Sequence, residues 1–333
     1  MKEKTKMSKF IKEIPCLSHP ITVLFLDDNQ GFLDSLEMEL GKQGQMLTFT
    51  DPNKAKAALE STEEDIVKKI SKVFADADTD SLNEKLIDFD INNIRSFIYD
   101  AERFNYVAVM VVDYQMPDLT GLDFCRSIKE RHVYKVMLTA EAGKDTAIAA
   151  FNEGVIDKFL LKKSDALCEQ LVDVIDELKA KYFQDLSKPL LNSFGAGSYE
   201  ALKSSAFIKI FNDVLQESNA VEYYLIDTSC SYLFLDASGS PTWLIIRSSQ
   251  DFDDHLDILS GLASAPELTA SLKRKEKLLF LLSEEEYQQP VEEWGNYLYD
   301  AKKLDDLNWY TVVKGPTKNS IHWDDVKSYK ERK

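Results

Sequence analysis

The sequence predicts an α/β protein, a doubly wound five-stranded parallel sheet with an inserted helical hairpin, followed by a smaller α+β domain. Three observations predict it. Short, wholly apolar runs recur and end in polar residues, and a run without alternation is what a strand covered on both faces requires. Helical patterns fill the gaps between these runs, so consecutive strands need crossovers. The length, 333 residues, exceeds the roughly 100–200 residues of one ordinary domain.

The elements follow in order. Residues 1–20 are charged and irregular and read as a flexible lead. Ile21–Leu26 (ITVLFL) is the first apolar run and ends in Asp27-Asp28-Asn29. Gly31–Leu40 reads as a helix and Met46–Thr50 as a second strand. Val107–Val112 (VAVMVV) ends in Asp113, Lys135–Leu138 ends in Thr139-Ala140, and Phe159–Leu161 ends in Lys162. Lys144–Asn152 and Asp165–Phe183 carry helical patterns between and after them. Residues 51–105 are too long for one crossover helix. Lys54–Phe74 and Ser81–Phe104 each read as helices broken at Asp76–Asp80, an insertion at about 60–105. Its Ile/Leu stripe, through Ile91, Ile94, Phe97 and Ile98, suits packing on the domain or a dimer seam.

Tyr182–Ser198 holds Pro189, Gly195, Gly197 and several serines, the chemistry of a linker. The domains are thus expected at 20–183 and 199–333, joined by 184–198. In the second, Tyr199–Glu217 reads as a helix. Val221–Asp227, Tyr232–Asp236 and Thr242–Arg247 read as strands, with a Gly239/Pro241 turn between the last two. Residues 252–282 read as helical.

Composition narrows the function classes. Forty basic residues stand against fifty-seven acidic ones, a net charge of −17. Residues 187–333 are acidic too, with 16 Lys+Arg against 23 Asp+Glu. Such a surface repels phosphate backbones and anionic lipid, which argues against DNA and membrane partners. Hydrophobic residues at 44% with only 12 Gly and 9 Pro exclude a disordered or collagen-like chain. The four cysteines, Cys16, Cys125, Cys168 and Cys230, lack zinc spacing and read as free thiols of a reducing compartment. The basic N-terminus lacks a signal-peptide core, and no run approaches the ~20 apolar residues of a membrane span. A cytoplasmic protein is expected.

The strand ends carry the chemistry. In a doubly wound sheet ligands bind outside the carboxyl ends of the strands, so Asp27, Asp28, Asp113, Thr139 and Lys162 should converge on one edge. Acids held close need a cation or must share protons. An oxygen-only set suits Mg²⁺, which prefers few carboxylates, waters and a phosphate. A carboxylate flanked by Mg²⁺, a hydroxyl and an ammonium is equipped to accept a phosphoryl group, with Asp113 as nucleophile.

The segment Asp113-Tyr-Gln-Met-Pro117 with Gly121, the pair Asp27-Asp28, Thr139-Ala140 and Phe159-x-x-Lys162 together resemble the receiver domain of bacterial two-component response regulators, over roughly residues 20–183. The resemblance implies a flavodoxin-like fold with Asp113 as the phosphorylated residue. It implies that Asp28 and Asp113 bind Mg²⁺ with the backbone carbonyl of Gln115, Asp27 acting mainly through water. Thr139 would follow the phosphoryl oxygens, Lys162 would pair with them, and Phe159 would be the aromatic switch. Gln115 and Glu141 would tune the lifetime of the acyl phosphate. The implied partners are a sensor histidine kinase or phosphotransfer protein, an unknown downstream protein and, as an open alternative, a second copy of the chain. Two departures stand out. Lys163 follows Lys162 where the family usually has proline, and a non-proline bond prefers trans by roughly 2.5–4 kcal/mol. Asp28 and Asp113 are 85 positions apart, the excess lying in the insertion.

The second domain lacks a basic recognition helix, a phosphate-binding glycine loop and a nucleophile elbow. Asp227 and Asp236 end successive strands, as in a nuclease-like acid cluster, but the neighbouring strand has no acid-x-Lys. Lys273–Lys277 is the one basic run, a solvated helix face or a nucleic-acid contact. Output through protein contacts is therefore the leading reading. An enzymatic output acting on a nucleotide or phosphoester, and a receiver-fold scaffold that is never phosphorylated, remain the alternatives.

Overall fold

The structure is a computed structural model and describes residues 14–41, 44–60, 91–128, 133–140, 143–193, 202–261, 265–319 and 321–331. Its first sheet is built as the apolar runs require. The chain forms β1 (Leu17–Ser18), β2 (Thr22–Leu26), α1 (Gln30–Leu40), β3 (Gln45–Phe49), α2 (residues 52–60) and α3 (Ile91–Ser96). It continues through β4 (Val107–Asp113), α4 (Gly121–Ser127), β5 (Tyr134–Thr139), α5 (Lys144–Asn152), β6 (Lys158–Leu161) and α6 (Leu167–Ser193). Strands β2 to β6 pair in parallel in the order β3-β2-β4-β5-β6. This is the doubly wound order of flavodoxin-like folds. Every residue of β2 and β4 is buried, while the edge strands β3 and β6 are half-buried throughout.

Two core layers cover the sheet. Alternation along β2 sends Val23 and Phe25 to one face, where Leu33, Leu36 and Leu40 of α1 and Leu167, Leu171 and Leu178 of α6 cover them. Leu24 and Leu26 point to the other face, onto Ala55 and Leu59 of α2, Phe124 and Cys125 of α4, and Ala147 and Ala150 of α5. The i, i+3, i+7 spacing in α1 is what makes one helical stripe available for burial.

The second part forms α7 (Ser205–Glu217), β7 (Ala220–Leu225), β8 (Tyr232–Asp236), β9 (Pro241–Ser248), α8 (Ser249–Ser260), α9 (Pro266–Lys273), β10 (Lys277–Leu279), α10 (Glu284–Tyr287), β11 (Leu298–Asp300), β12 (Lys302–Lys303) and β13 (Asn308–Lys314). An antiparallel sheet in the order β1-β7-β8-β9-β13-β12 dominates it, with β10 and β11 paired apart. The core on the α1/α6 face continues into this sheet in one cluster.

Four expectations are corrected. The N-terminal lead is not free from Ile14 onward. Leu17 and Ser18 pair with Tyr224 and Tyr223 of β7, and Cys16 and His19 are fully buried. The strand is two residues long, too short for any periodicity to mark it. The expected linker is helical as far as Ser193, as the last turns of α6. Ser187 explains why, since its hydroxyl donates to the Phe183 carbonyl (2.7 Å) and accepts from the Cys16 amide (2.8 Å). A tertiary contact overrides the weak helix preference of Ser and Pro. Residues 252–282 are not continuously helical but turn after α9, with Lys275 at φ 53, into β10. The described end of the insertion is α3 followed by 3₁₀ turns at Phe97–Tyr99 and Ala101–Asn105, not one helix. Asp100 breaks it, extended, with its side chain accepting from the Glu102 amide. Ile94, Phe97 and Ile98 are buried, and α3 packs against β7. Residues 61–90 of the insertion and 194–201 of the expected linker lie outside the described residues.

Candidate functional site

Register alone brings the strand-end residues together. Leu26 of β2 aligns with Val112 of β4, so Asp27 stands level with Asp113. Asp113 aligns with Leu138, one residue before Thr139, and Thr139 aligns with Leu161, one residue before Lys162. The five polar residues therefore sit at one edge because their strands end together.

Asp27, Asp28 and Asp113 each offer a carboxylate oxygen within 4.8 Å of the others. Asp27 and Asp113 are buried and Asp28 is exposed. Lys162 Nζ bridges the two buried acids, 2.6 Å from Asp27 Oδ2 and 2.9 Å from Asp113 Oδ2. It also lies 4.9 Å from the centre of the Phe32 ring in the first turn of α1, a cation–π contact. Asp27 Oδ1 accepts from the Asn29 amide (3.0 Å), and Asn29 in turn caps α1 by accepting from the Phe32 amide. One short turn thus orients a carboxylate and places the ring beneath the lysine.

The charges perturb one another. Burial raises the Asp113 pKa; Lys162 opposes this and the neighbouring Asp27 adds to it, while the Gln115 backbone lowers it. Burial works against the Lys162 ammonium, yet its bonds to Asp27 and Asp113 prevail and raise its pKa. The three-acid donor set, one member open to solvent, fits a hard oxygen-ligated cation such as Mg²⁺.

Thr139 is fully buried, and its hydroxyl donates to the Ala140 carbonyl at 2.9 Å. Its own carbonyl accepts from the Lys162 amide at 2.9 Å. The Lys162–Lys163 bond is trans, as no cis peptide occurs among the described residues. Gly121 opens α4 directly against the acid: a Cβ there would lie 2.0 Å from the Asp113 carbonyl oxygen, so only glycine fits. Phe159 is half-buried against the core layer of α4 and α5. Gln115 is exposed beside Asp113. Glu141 lies outside the described residues.

In the second part the strand-end acids do not converge. Asp227 pairs with the buried Arg247 (2.8 Å), and Asp236 closes its own turn by accepting from the Ser238 and Ser240 amides. Three of the four basic residues of the run are engaged within the molecule. Arg274 pairs with Glu276 at 2.9 Å, Lys275 lies 4.0 Å over the Trp309 ring, and Lys277 pairs with Asp300 at 2.5 Å. His255 is buried and bonded to the Tyr287 hydroxyl at 3.2 Å; burial lowers its pKa to about 4.

Sequence reasoning missed the contacts between the two parts. Arg103 and Glu222, each with a fully buried side chain, form a bidentate pair at 2.8 Å. Arg103 also donates to the carbonyls of Asp100 (2.8 Å) and Lys327 (2.6 Å). Tyr329 packs edge-on against Phe104. A lone Arg and a lone Glu in separate elements carry no sequence signal. Phe32 was legible only as a helix residue.

Residues 87–176 match the response regulator receiver domain family. The chain carries a response regulator receiver domain. It is similar over both parts to the structure of the Legionella pneumophila response regulator LqsR, at 27% identity and a TM-score of 0.73, covering 96% of this chain and 94% of that one. A CheY-like response regulator receiver domain protein from Methanospirillum hungatei JF-1 matches at 16% identity and a TM-score of 0.34, over 50% of this chain and 98% of that one. A sequence comparison with curated proteins returns no match. The family match begins after β2 and α1, so Asp27 and Asp28 fall outside it, and the geometry at the sheet edge joins them to the site.

Proposed function

We propose that the chain is a phosphorelay response regulator that takes a phosphoryl group onto Asp113 from a sensor histidine kinase or phosphotransfer protein. One observation carries the reading: three carboxylates share one sheet edge with an ammonium bridging the two buried ones. In the transfer, an Asp113 carboxylate oxygen bonds to phosphorus, the phosphorus–nitrogen bond of a phosphohistidine breaks, and the leaving imidazole keeps the electron pair and takes up a proton. Lys162, already poised on Asp113, offsets charge on the transferring group. Thr139 supplies a hydroxyl to its oxygens once it leaves Ala140. Asp27, Asp28, Asp113 and the Gln115 carbonyl are the residues that would hold Mg²⁺. When bound, that ion supplies positive charge to the transferring phosphoryl oxygens. Phe159 follows Thr139 as the switch residue, and Gln115 and Glu141 tune the lifetime of the acyl phosphate.

The reading assigns residues 20–183 to the receiver and 199–333 to the output part, with residues 184–193 of the segment between them forming the last turns of α6. A receiver whose core runs into the output sheet supports signalling by a change of shared packing. The downstream partner is then a protein, or a second copy of the chain, in the cytoplasm. Among the described residues no helix is long and apolar enough to cross a membrane.

The test is incubation with phosphoramidate, a small phosphohistidine mimic, with and without Mg²⁺. Intact mass should show one added phosphoryl group in the wild type with Mg²⁺ and none in Asp113→Ala. Uptake that persists in Asp113→Ala, or no uptake by the wild type, overturns the reading and favours a receiver-fold scaffold.

A further inference from the structure

The Thr139 hydroxyl is held at a resting place that one glycine makes possible. Thr139 Oγ1 donates to the Ala140 carbonyl at 2.9 Å, and the Gly143 amide donates to that same carbonyl at 3.0 Å. The Gly143 amide and the Thr139 hydroxyl therefore share one acceptor. A Cβ on Gly143 would lie 2.2 Å from Thr139 Oγ1 and 3.0 and 3.3 Å from Cδ1 and Cε1 of the Tyr114 ring.

The backbone gives no other reason for a glycine there. Gly143 sits at φ −96, ψ 2 as the N-cap of α5, a conformation open to L-residues. It makes no side-chain cap, where Ser, Asp or Asn would serve the helix better. Nor can the surroundings yield cheaply. Tyr114 is pinned at both ends of its peptide, its amide donating to the Leu138 carbonyl (2.8 Å) and its carbonyl accepting from the Gly121 amide (2.9 Å). The Thr139 carbonyl is likewise tied to the Lys162 amide. The space between Thr139 and Tyr114 is kept by the absence of a methyl group.

We propose that Gly143 is a positioning residue: lacking a Cβ, it lets the Thr139 hydroxyl rest on the Ala140 carbonyl, and so sets how readily Thr139 is released to a phosphoryl group on Asp113. The inference rests on the phosphoacceptor reading above. A methyl group at 143 displaces the hydroxyl from its resting acceptor, the atoms nearest to it belonging to Thr139 and Tyr114 rather than to Asp27, Asp28, Asp113 or Lys162. The resting state loses one hydrogen bond, and the competition it offers to phosphoryl binding falls with it.

The experiment measures beryllofluoride affinity with Mg²⁺ in the full chain, alongside methyl NMR of Thr139 without beryllofluoride. Gly143→Ala should shift the Thr139 methyl resonance and tighten beryllofluoride binding by roughly three- to tenfold, the change in competent population that one lost neutral hydrogen bond allows. Gly143→Ser carries the same Cβ with an added cap, so an effect shared by both variants belongs to the Cβ rather than to helix stability. In a Thr139→Ala background the Gly143→Ala effect on affinity should vanish, because nothing is left to displace. An unmoved Thr139 resonance, or a Gly143→Ala effect of equal size with and without the Thr139 hydroxyl, overturns the inference. A wild type that binds no beryllofluoride overturns the phosphoacceptor reading instead, and the resonance alone then decides the role of Gly143.

Discussion

Arg103 and Glu222 lie in the two parts of the chain, one just before β4 and the other on β7, and both side chains are fully buried. Arg103→Ala removes both guanidinium bonds to Glu222, the donors to the Asp100, Ile98 and Lys327 carbonyls, and the stacking at 4.0 Å on the Phe104 ring. Glu222 keeps one close donor, the Tyr224 hydroxyl at 2.6 Å. A buried carboxylate left without its cation costs roughly 3–5 kcal/mol. Lys179 also feels Glu222 and places the expected loss toward the lower end. For a chain of this size that is a fall in Tm on the order of 4–6 °C. Thermal unfolding followed by tryptophan fluorescence measures it, since all four Trp lie beyond residue 240 and Arg103 does not. The double variant Arg103→Met/Glu222→Leu removes both charges of the pair, Lys179 keeping Asp176 nearby, and should recover at least half of the loss. A single-variant loss below about 1 kcal/mol, the value of an exposed pair, would refute the argument. So would a double variant no more stable than Arg103→Ala.

Two further outcomes are expected. His19 is fully buried among the rings of Phe97, Phe104, Tyr106 and Phe183, and burial lowers its pKa to about 3 from 6.5. A depressed folded pKa contributes stability that is present above 6.5 and is lost as pH falls toward 3, by about 2 kcal/mol at pH 5; urea unfolding at pH 7.5 and 5 should show His19→Phe losing correspondingly less than the wild type. At the sheet edge, Lys162→Met leaves the buried acids without their ammonium, so the already raised Asp113 pKa rises further. Phosphoramidate uptake should then both slow and shift its pH profile to the alkaline side, and an unshifted profile would show that Lys162 does not set the Asp113 charge.

The parallel sheet was legible because its central strands are covered on both faces. Val107–Val112 is wholly apolar and Ile21–Leu26 carries only Thr22, whose hydroxyl donates to the Phe104 carbonyl, and the structure buries both. The site was legible for a related reason: once strand ends are assigned, register forces Asp27, Asp113, Thr139 and Lys162 to one edge. The 3₁₀ break at Asp100 and the turn after α9 were not, because both depend on local caps and a left-handed Lys275 rather than on periodicity. The helical course of Tyr182–Ser193 was hidden by Pro189 and its serines, whose local preferences point the other way.

By itself the sequence determined the α/β class, the order of strands and helices around the parallel sheet, and which side chains stand at its strand ends, since all of these follow from local periodicity and chain direction. Tertiary structure alone decided that Leu17–Ser18 becomes the edge of the second sheet, that Arg103 meets Glu222, that Phe32 lies beneath Lys162, and that Gly143 leaves room for the Thr139 hydroxyl. Each of these is a contact between segments whose residues carry no mark of one another. Their partners are set by the packing of the whole chain, where burying one polar group requires that another be brought to it.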